Sequence, residues 1–265
     1  MKNFENRIST SNIMFRYAKG VSSQVGKEFH PYHEIVLFMG ENAVLYSDTQ
    51  QMQIKPGTLI VIPKETYHQL NIKGDRESYI RCVLNFGDIP ETKEFIKKNM
   101  KRIYVSEVSK EIGFLFETLI KTAVGDYSDS EKGIILKSVL TLILSNLSVA
   151  EEIKNGSKIS EITKKSIQYI KENISVHFRT KDMAKFLNVS ESLLYHTFKE
   201  EMNISVHKYI LKKRLTIAYE KIKNGTPATI ASYECGFSEY SNFYRQYKKA
   251  FGFSPSHREL NIKKT

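Results

Sequence analysis

The stretch TIASYECGFSEYSNFYRQYKKAFGFS, Thr229 to Ser254, decides the reading of the chain, because DMAKFLNVSESLLYHTFKEEMNIS, Asp182 to Ser205, follows the same plan. Ala184 and Val189-Ser190 match Ala231 and Phe237-Ser238, with one extra residue in the second turn. Further on, Leu194, Phe198-Lys199 and Ile204-Ser205 match Phe243, Tyr247-Lys248 and Phe253-Ser254. In each copy an alanine lets two helices cross closely and a short turn, Leu187-Asn188-Val189 or Cys235-Gly236-Phe237, reverses the chain into a second helix. Gly236 suits a left-handed turn conformation. Ser190 and Ser238 stand where an N-cap is wanted. Leu194, Phe198 and Met202 in one copy, and Phe243, Tyr247 and Phe251 in the other, form one apolar stripe that anchors each second helix.

The opposite faces are polar and basic. With Ser190 come Glu191, Ser192, Tyr195, His196 and Lys199; with Ser238 come Glu239, Tyr240, Ser241, Asn242, Tyr244, Arg245 and Lys248. Such donors, acceptors and flat side chains suit the base edges of a major groove and its flanking phosphates. A merely solvated surface is the alternative for any single one of them. Between the copies, Val206 to Asn224 has Tyr209, Ile210, Arg214, Leu215 and Ala218 at helical spacing before the stop at Gly225. Nineteen helical residues span roughly 28 Å, close to the ~34 Å repeat of the double helix. A stiff connector of that length presents two reading helices to successive grooves on one face of a duplex.

Charge points the same way. Of 40 Lys/Arg and 29 Asp/Glu in the 265 residues, 20 and 10 lie from Lys158 onward, leaving 20 against 19 before it. The positive excess is therefore confined to the end with the repeated motif, as a polyanionic partner requires. Length predicts two domains, here 1–152 and 158–265. Two isolated cysteines, Cys82 and Cys235, exclude a disulfide framework or a cysteine-built zinc site and read as small buried hydrophobes. No apolar run is long enough to span a membrane, and the first residues lack the order of a secretory signal; no membrane partner and a cytoplasmic location are expected.

Residues 28 to 86 read as strands: EIVLFM, AVLYS, QMQI, TLIVI, YHQLNI and YIRCVLNF are short, β-branched and aromatic, and separated by Gly40, Asp48, Pro56-Gly57, Pro63 and Gly74-Asp75. That spacing predicts a small sandwich or barrel. The period then changes: Val108, Ile112, Leu115, Phe116, Leu119 and Ile120 mark a helix over Ser106 to Val124, and Ile135, Val139, Leu142, Ile143 and Leu147 mark another over Gly133 to Glu151. The pair packs on the β part or, with Ile134, Leu140 and Leu144 on its other side, offers a dimer surface. EEIKNGS, Glu151 to Ser157, reads as a polar linker.

The C-terminal part resembles the AraC family of bacterial transcription regulators. The resemblance lies in IASYECGFSEYSNFYRQYKKAFGFSPSHREL, with Ile230-Ala231, Gly236-Phe237, Phe243, Arg245, Lys248, Gly252, Pro255 and Arg258 at family spacing and Arg214 and Ala218 in the connector. Pro227, Asn203 and His257 depart from the family's usual aliphatic, Gly and Tyr. The N-terminal part is similar to the cupin-like sensor of many members, through FHPYHEIVLFMG and IKPGTLIVIPKETYH. The resemblance implies an α+β two-domain chain: a cupin-like β-barrel with a C-terminal helical pair, then an all-α domain with two helix-turn-helix motifs. It implies double-stranded DNA and a small-molecule effector as partners, a homodimer, and contact with RNA polymerase.

In a cupin-like fold His30, His33, Glu34 and His68 approach one another at the barrel mouth. Imidazoles and a carboxylate suit transition metals, and cupin enzymes use such sets. The spacing His30-x-x-His33-Glu34 departs from theirs, and His33 and Glu34, being adjacent on a strand, point to opposite faces. The expectation is therefore a non-enzyme without metal or cofactor, whose His30, His33, Glu34, Tyr67 and His68 bind a polar metabolite such as a sugar. A purely structural role for these histidines is the alternative.

Overall fold

The computed structural model describes residues 4–20, 29–73, 79–147, 153, 156–176 and 178–256. The Gly74-Asp75 turn, the Glu151 end of the second helical run, and His257 and Arg258 lie outside them. Among the described residues, ten strands form two antiparallel sheets. The larger is ordered β1 (Phe4–Ser9), β2 (Ile13–Lys19), β8 (Ile80–Phe86), β3 (His33–Phe38), β6 (Thr58–Ile62) and β9 (Tyr104–Glu107); the smaller is β10 (Ser157–Lys158), β5 (Gln50–Ile54), β4 (Asn42–Ser47) and β7 (His68–Lys73). Among the described residues no ladder joins the two, so the expected closed barrel is here a two-sheet sandwich.

The six predicted strands are β3 to β8. Four others escaped the alternation rule. β1 and β2 carry FENRIS and IMFRYAK, in which charged residues interrupt the apolar phase. β9 was expected to belong to the following helix, yet it pairs with β6, Ile60 opposite Val105, and the helix α2 starts only at Lys110, capped by Ser109. In the expected linker, Ser157 and Lys158 pair with Gln51 and Gln50, so the chain leaves the β part as a short edge strand.

Alternation assigns each face of the larger sheet. Val36, Phe38, Ile60, Ile62 and Val83 meet Ala43, Leu45, Met52 and Ile54 of the smaller sheet. On the reverse face Phe15, Ile35, Leu37, Leu84 and Phe86 meet α2 (Lys110–Val124) and α3 (Asp129–Asn146). The larger sheet is thus buried on both sides, which explains strands apolar at nearly every position. A short α1 (Lys93–Asn99) links β8 to β9. In α3, Leu140 and Leu144 face the core and not, as expected, its other side; the exposed apolar residues of the pair include Phe114, Ile134 and Leu142.

The remainder is helical: α4 (Glu161–Glu172), α5 (Thr180–Phe186), α6 (Glu191–Met202), α7 (Val206–Lys223), α8 (Ala228–Glu234) and α9 (Tyr240–Phe251). Serines at 160, 190 and 205 cap α4, α6 and α7 through side-chain bonds to the third residue beyond. Among the described residues no helix is long and apolar enough to cross a membrane.

Candidate nucleic-acid interface and a histidine cluster

α5–α6 and α8–α9 are two helix-turn-helix units on either side of α7. Leu194, Phe198 and Met202 are buried, which leaves Ser190, Glu191, Ser192, Tyr195, His196 and Lys199 exposed. Burial of Phe243, Tyr247 and Phe251 likewise turns Ser238, Glu239, Ser241, Asn242, Arg245 and Lys248 outward, while Tyr240 and Tyr244 are half-buried. The turns share one conformation: Asn188 and Gly236 are both left-handed, with φ of 55° and 78°. So do the helix ends, Asn203 and Gly252 at 53° and 82°. Asparagine tolerates that region, so its presence at 203 keeps the glycine's geometry. Ser238, expected to cap α9, does not. The step from Ser238 to Phe243 is also one residue longer than that from Ser190 to Leu194, and Glu239 takes the cap position without a side-chain bond.

Arg214 on α7 ties the units together. Its Nε donates to the Ile174 carbonyl at 3.0 Å, Nη2 to Val176 at 2.7 Å and Nη1 to Gly236 in the second turn at 2.9 Å. A Cβ on Gly236 would lie 2.9 Å from this guanidinium and 3.0 Å from the Ile174 carbonyl oxygen. Sequence reading matched Arg214 to a family position but gave it no task. Between the units lies a cavity of about 600 Å³ whose walls include Arg179, Lys181, His207, Arg214 and Asn242.

The five expected effector ligands part company. His33 follows the phase of Ile35 and Leu37, stacks on Phe86 at 5.5 Å, and sits 3.8 Å from Asp88. Burial pulls its imidazole down to about 4. Glu34 points the other way, between the sheets, as adjacency on a strand requires. There His30 Nε2 and His68 Nε2 each lie 3.7 Å from a Glu34 oxygen. His30 reaches it from before the strand, its ring stacked on Tyr32 at 4.2 Å. Burial, then the neighbouring His68, holds His30 well below the ordinary imidazole range. Opposite Glu34 in the β3–β8 ladder, and so on the same face, is Asn85. It is fully buried, and neither atom of its amide has a hydrogen-bond partner among the described residues. Sequence reading missed it, although an Asn two residues after Val83 falls on the core phase of that strand.

Tyr67 turns toward the helices. Its hydroxyl donates its one proton to the Met202 carbonyl at the end of α6, with Gln69 Oε1 3.2 Å away as the other acceptor within reach. Beside it Phe29 meets Tyr209 of α7 at 5.2 Å, and Tyr209 donates to Asp48 at 2.9 Å. Gln51 Nε2 donates to the Glu201 carbonyl at 3.0 Å. Phe29 and Tyr67 belong to the same buried cluster as Met183, Leu194, Phe198 and Tyr209.

The sequence pattern described as a helix-turn-helix domain matches residues 183–258. The last part of this chain is a helix-turn-helix domain of the transcription-regulator kind. Its boundaries take in α6 to α9 and the end of α5. Over 236 residues, 88% of this chain and 92% of the relative, the protein is 21% identical to a probable transcriptional regulator, LumQ, of Photobacterium leiognathi. Over 100 residues, 36% of each chain, it is 35% identical to the Msm operon regulatory protein of Streptococcus mutans. These relatives are regulators, which points away from catalysis. The crystal structure of ToxT from Vibrio cholerae aligns over 96% of this chain and 95% of its own at 16% identity, with a TM-score of 0.41.

Proposed function

We propose that this chain is an effector-controlled, sequence-specific transcription regulator of the AraC type, working in the cytoplasm. Residues 158–265 bind duplex DNA and residues 1–152 sense and dimerise. The observation that carries this is the outward display of two polar helix faces, Ser190 to Lys199 and Ser238 to Lys248, on one continuous α7. At about 1.5 Å per residue the 18 residues of α7 span roughly 27 Å, compatible with successive major grooves. Arg179, Lys181 and His207 in the cleft between the units suit the phosphates that cross between those grooves.

The sensor reading rests on polar groups converging in an otherwise apolar sandwich: His30, Glu34, His68 and Asn85. A small polar metabolite such as a sugar fits such a lining. Of the other expected ligands, His33 faces away and Tyr67 is engaged with Met202, so neither is counted in this lining. Exposed Phe114, Ile134 and Leu142 on the helical pair support a homodimer through that surface. RNA polymerase is the expected partner once DNA is bound.

The test is selection of genomic fragments by the full chain, followed by competition against random duplex at several salt concentrations. A recovered site should outcompete random DNA by at least about a thousandfold. Equal binding of all sequences would refute the reading.

A further inference from the structure

We infer that His30, Glu34 and His68 form a binding site for one divalent first-row transition-metal ion, and that its occupancy controls the docking of the first helix-turn-helix unit on the sandwich. The nearest ligand atoms of the three lie within 4.8 Å of one another. His30 Nδ1 is 2.7 Å from the Tyr32 carbonyl oxygen, and His68 Nδ1 is 3.2 Å from that of Thr66. A carbonyl only accepts, so both rings carry their proton on Nδ1. A ring with its single proton there turns the lone pair of Nε2 toward the carboxylate. The two histidine–glutamate separations of 3.7 Å are too long for a hydrogen bond, so the three groups face one another without pairing. His30 Nε2 is shielded from solvent and without a partner among the described residues.

A cation at the centre satisfies all three. Metal–ligand bonds of about 2.0–2.2 Å place ligand atoms about 3 to 3.5 Å apart, so the two histidine–glutamate separations of 3.7 Å need to shorten only slightly, while the full span of 4.8 Å must close further as the rings swing inward. Backbone carbonyls holding the far nitrogens are the usual outer support of metal-bound imidazoles. Two imidazoles and one carboxylate select ions such as Zn²⁺, Fe²⁺, Mn²⁺ or Co²⁺ over Mg²⁺ or Ca²⁺. Three protein ligands leave further coordination positions open, and the unpartnered amide of Asn85 on the same face suits a water or metabolite oxygen held there.

His33 is not among these ligands, although the spacing His30-x-x-His33-Glu34 suggested it. The fold brings His30 to Glu34 instead, through the turn at Pro31-Tyr32, which the alternation rule does not govern. The consequence for the helices follows from position. His30 and His68 directly follow Phe29 and Tyr67, the two sandwich residues in the core around α6 and α7. Drawing both imidazoles inward on an ion moves the backbone of the residues that grip the Met202 carbonyl and Tyr209.

Ion binding stands independently of the proposed function; its effect on DNA rests on that function. The full chain, stripped with chelator, is titrated with Co²⁺ and followed by visible absorption, with circular dichroism to verify folding. One equivalent with ligand-field bands is expected, and Glu34→Gln and His68→Ala should each bind at least about a hundredfold more weakly, while His33→Ala binds like the parent. Absence of bands from the folded parent, or equal uptake by parent and both variants, overturns the site. Affinity for the recovered DNA, compared between stripped and Zn²⁺-loaded chain, should differ at least about fivefold, and this difference should vanish in Glu34→Gln. An unchanged affinity overturns the control with the site intact. Failure to bind any DNA in either state refutes the proposed function, while the Co²⁺ titration still decides the site.

Discussion

The two helix-turn-helix units share a plan, yet their cores are completed differently. Phe237, Phe243, Tyr247 and Phe251 of the second pack with Leu215, Ala218 and Tyr219 of α7, all from the same helical part of the chain. The first unit takes Phe29 and Tyr67 from the sandwich into its core, and Gln51 donates to the last carbonyls of its reading helix. Under the proposed function, equal tasks at the DNA come with unequal contact with the sandwich. Among the described residues the first unit alone shares its core with sandwich residues, and Arg214 joins the segment before it to the second unit through the Gly236 carbonyl.

The largest expected effect is at that joint. Gly236→Ala forces a side chain into a left-handed turn and against the Arg214 guanidinium, and should destabilise the second unit by about 1–3 kcal/mol in urea unfolding. Asn188→Gly at the equivalent first turn should change stability by less than about 1 kcal/mol. Equal effects at both turns would break the comparison. Next, Arg245→Ala and Lys199→Ala should each weaken binding to the recovered site by about 1–3 kcal/mol if they touch bases. A loss equal for all sequences with a shallower salt slope identifies a phosphate contact instead. Tyr67→Phe removes the donor to Met202 and should cost about 1–2 kcal/mol, read as faster proteolysis of the first unit with the second unaffected.

The smallest effect concerns Asp48, which accepts from Tyr209 and whose burial pushes its carboxyl above the ordinary range. A raised folded pKa means that its contribution is complete below the unfolded value of about 3.9 and is lost as pH rises through the folded value. Asp48→Asn keeps an acceptor and removes the charge. Its urea midpoint should match the parent near pH 4 and exceed it at pH 7; parallel profiles would show that Asp48 does not tune the seam.

Strands β3 to β8 and the helices from α4 onward are legible because each obeys one period over several residues. Where a period was blurred, reading failed. Glu5, Asn6 and Arg7 hide β1, and Val108 fits the helical phase of α2 while belonging to the end of β9's segment. Ser238 was a plausible cap until the one-residue longer step from it to Phe243 placed Glu239 there. Of the candidate sensor residues, alternation correctly separated His33 from Glu34, but it was silent about His30, which precedes its strand; Tyr67, read as the first residue of a strand, lies just before β7.

The sequence alone determined the doubled motif, the apolar stripe and polar face of each reading helix, the stiffness of the connector and the concentration of positive charge, since these follow from spacing within a few turns of helix. Only tertiary structure decided that His30, Glu34 and His68 meet, that Asn85 lies opposite, and that Phe29 and Tyr67 complete the core of a distant unit. The physical reason is that such contacts depend on which strands pair and which faces are buried together, and the side-chain period of any one segment carries no information about its partner.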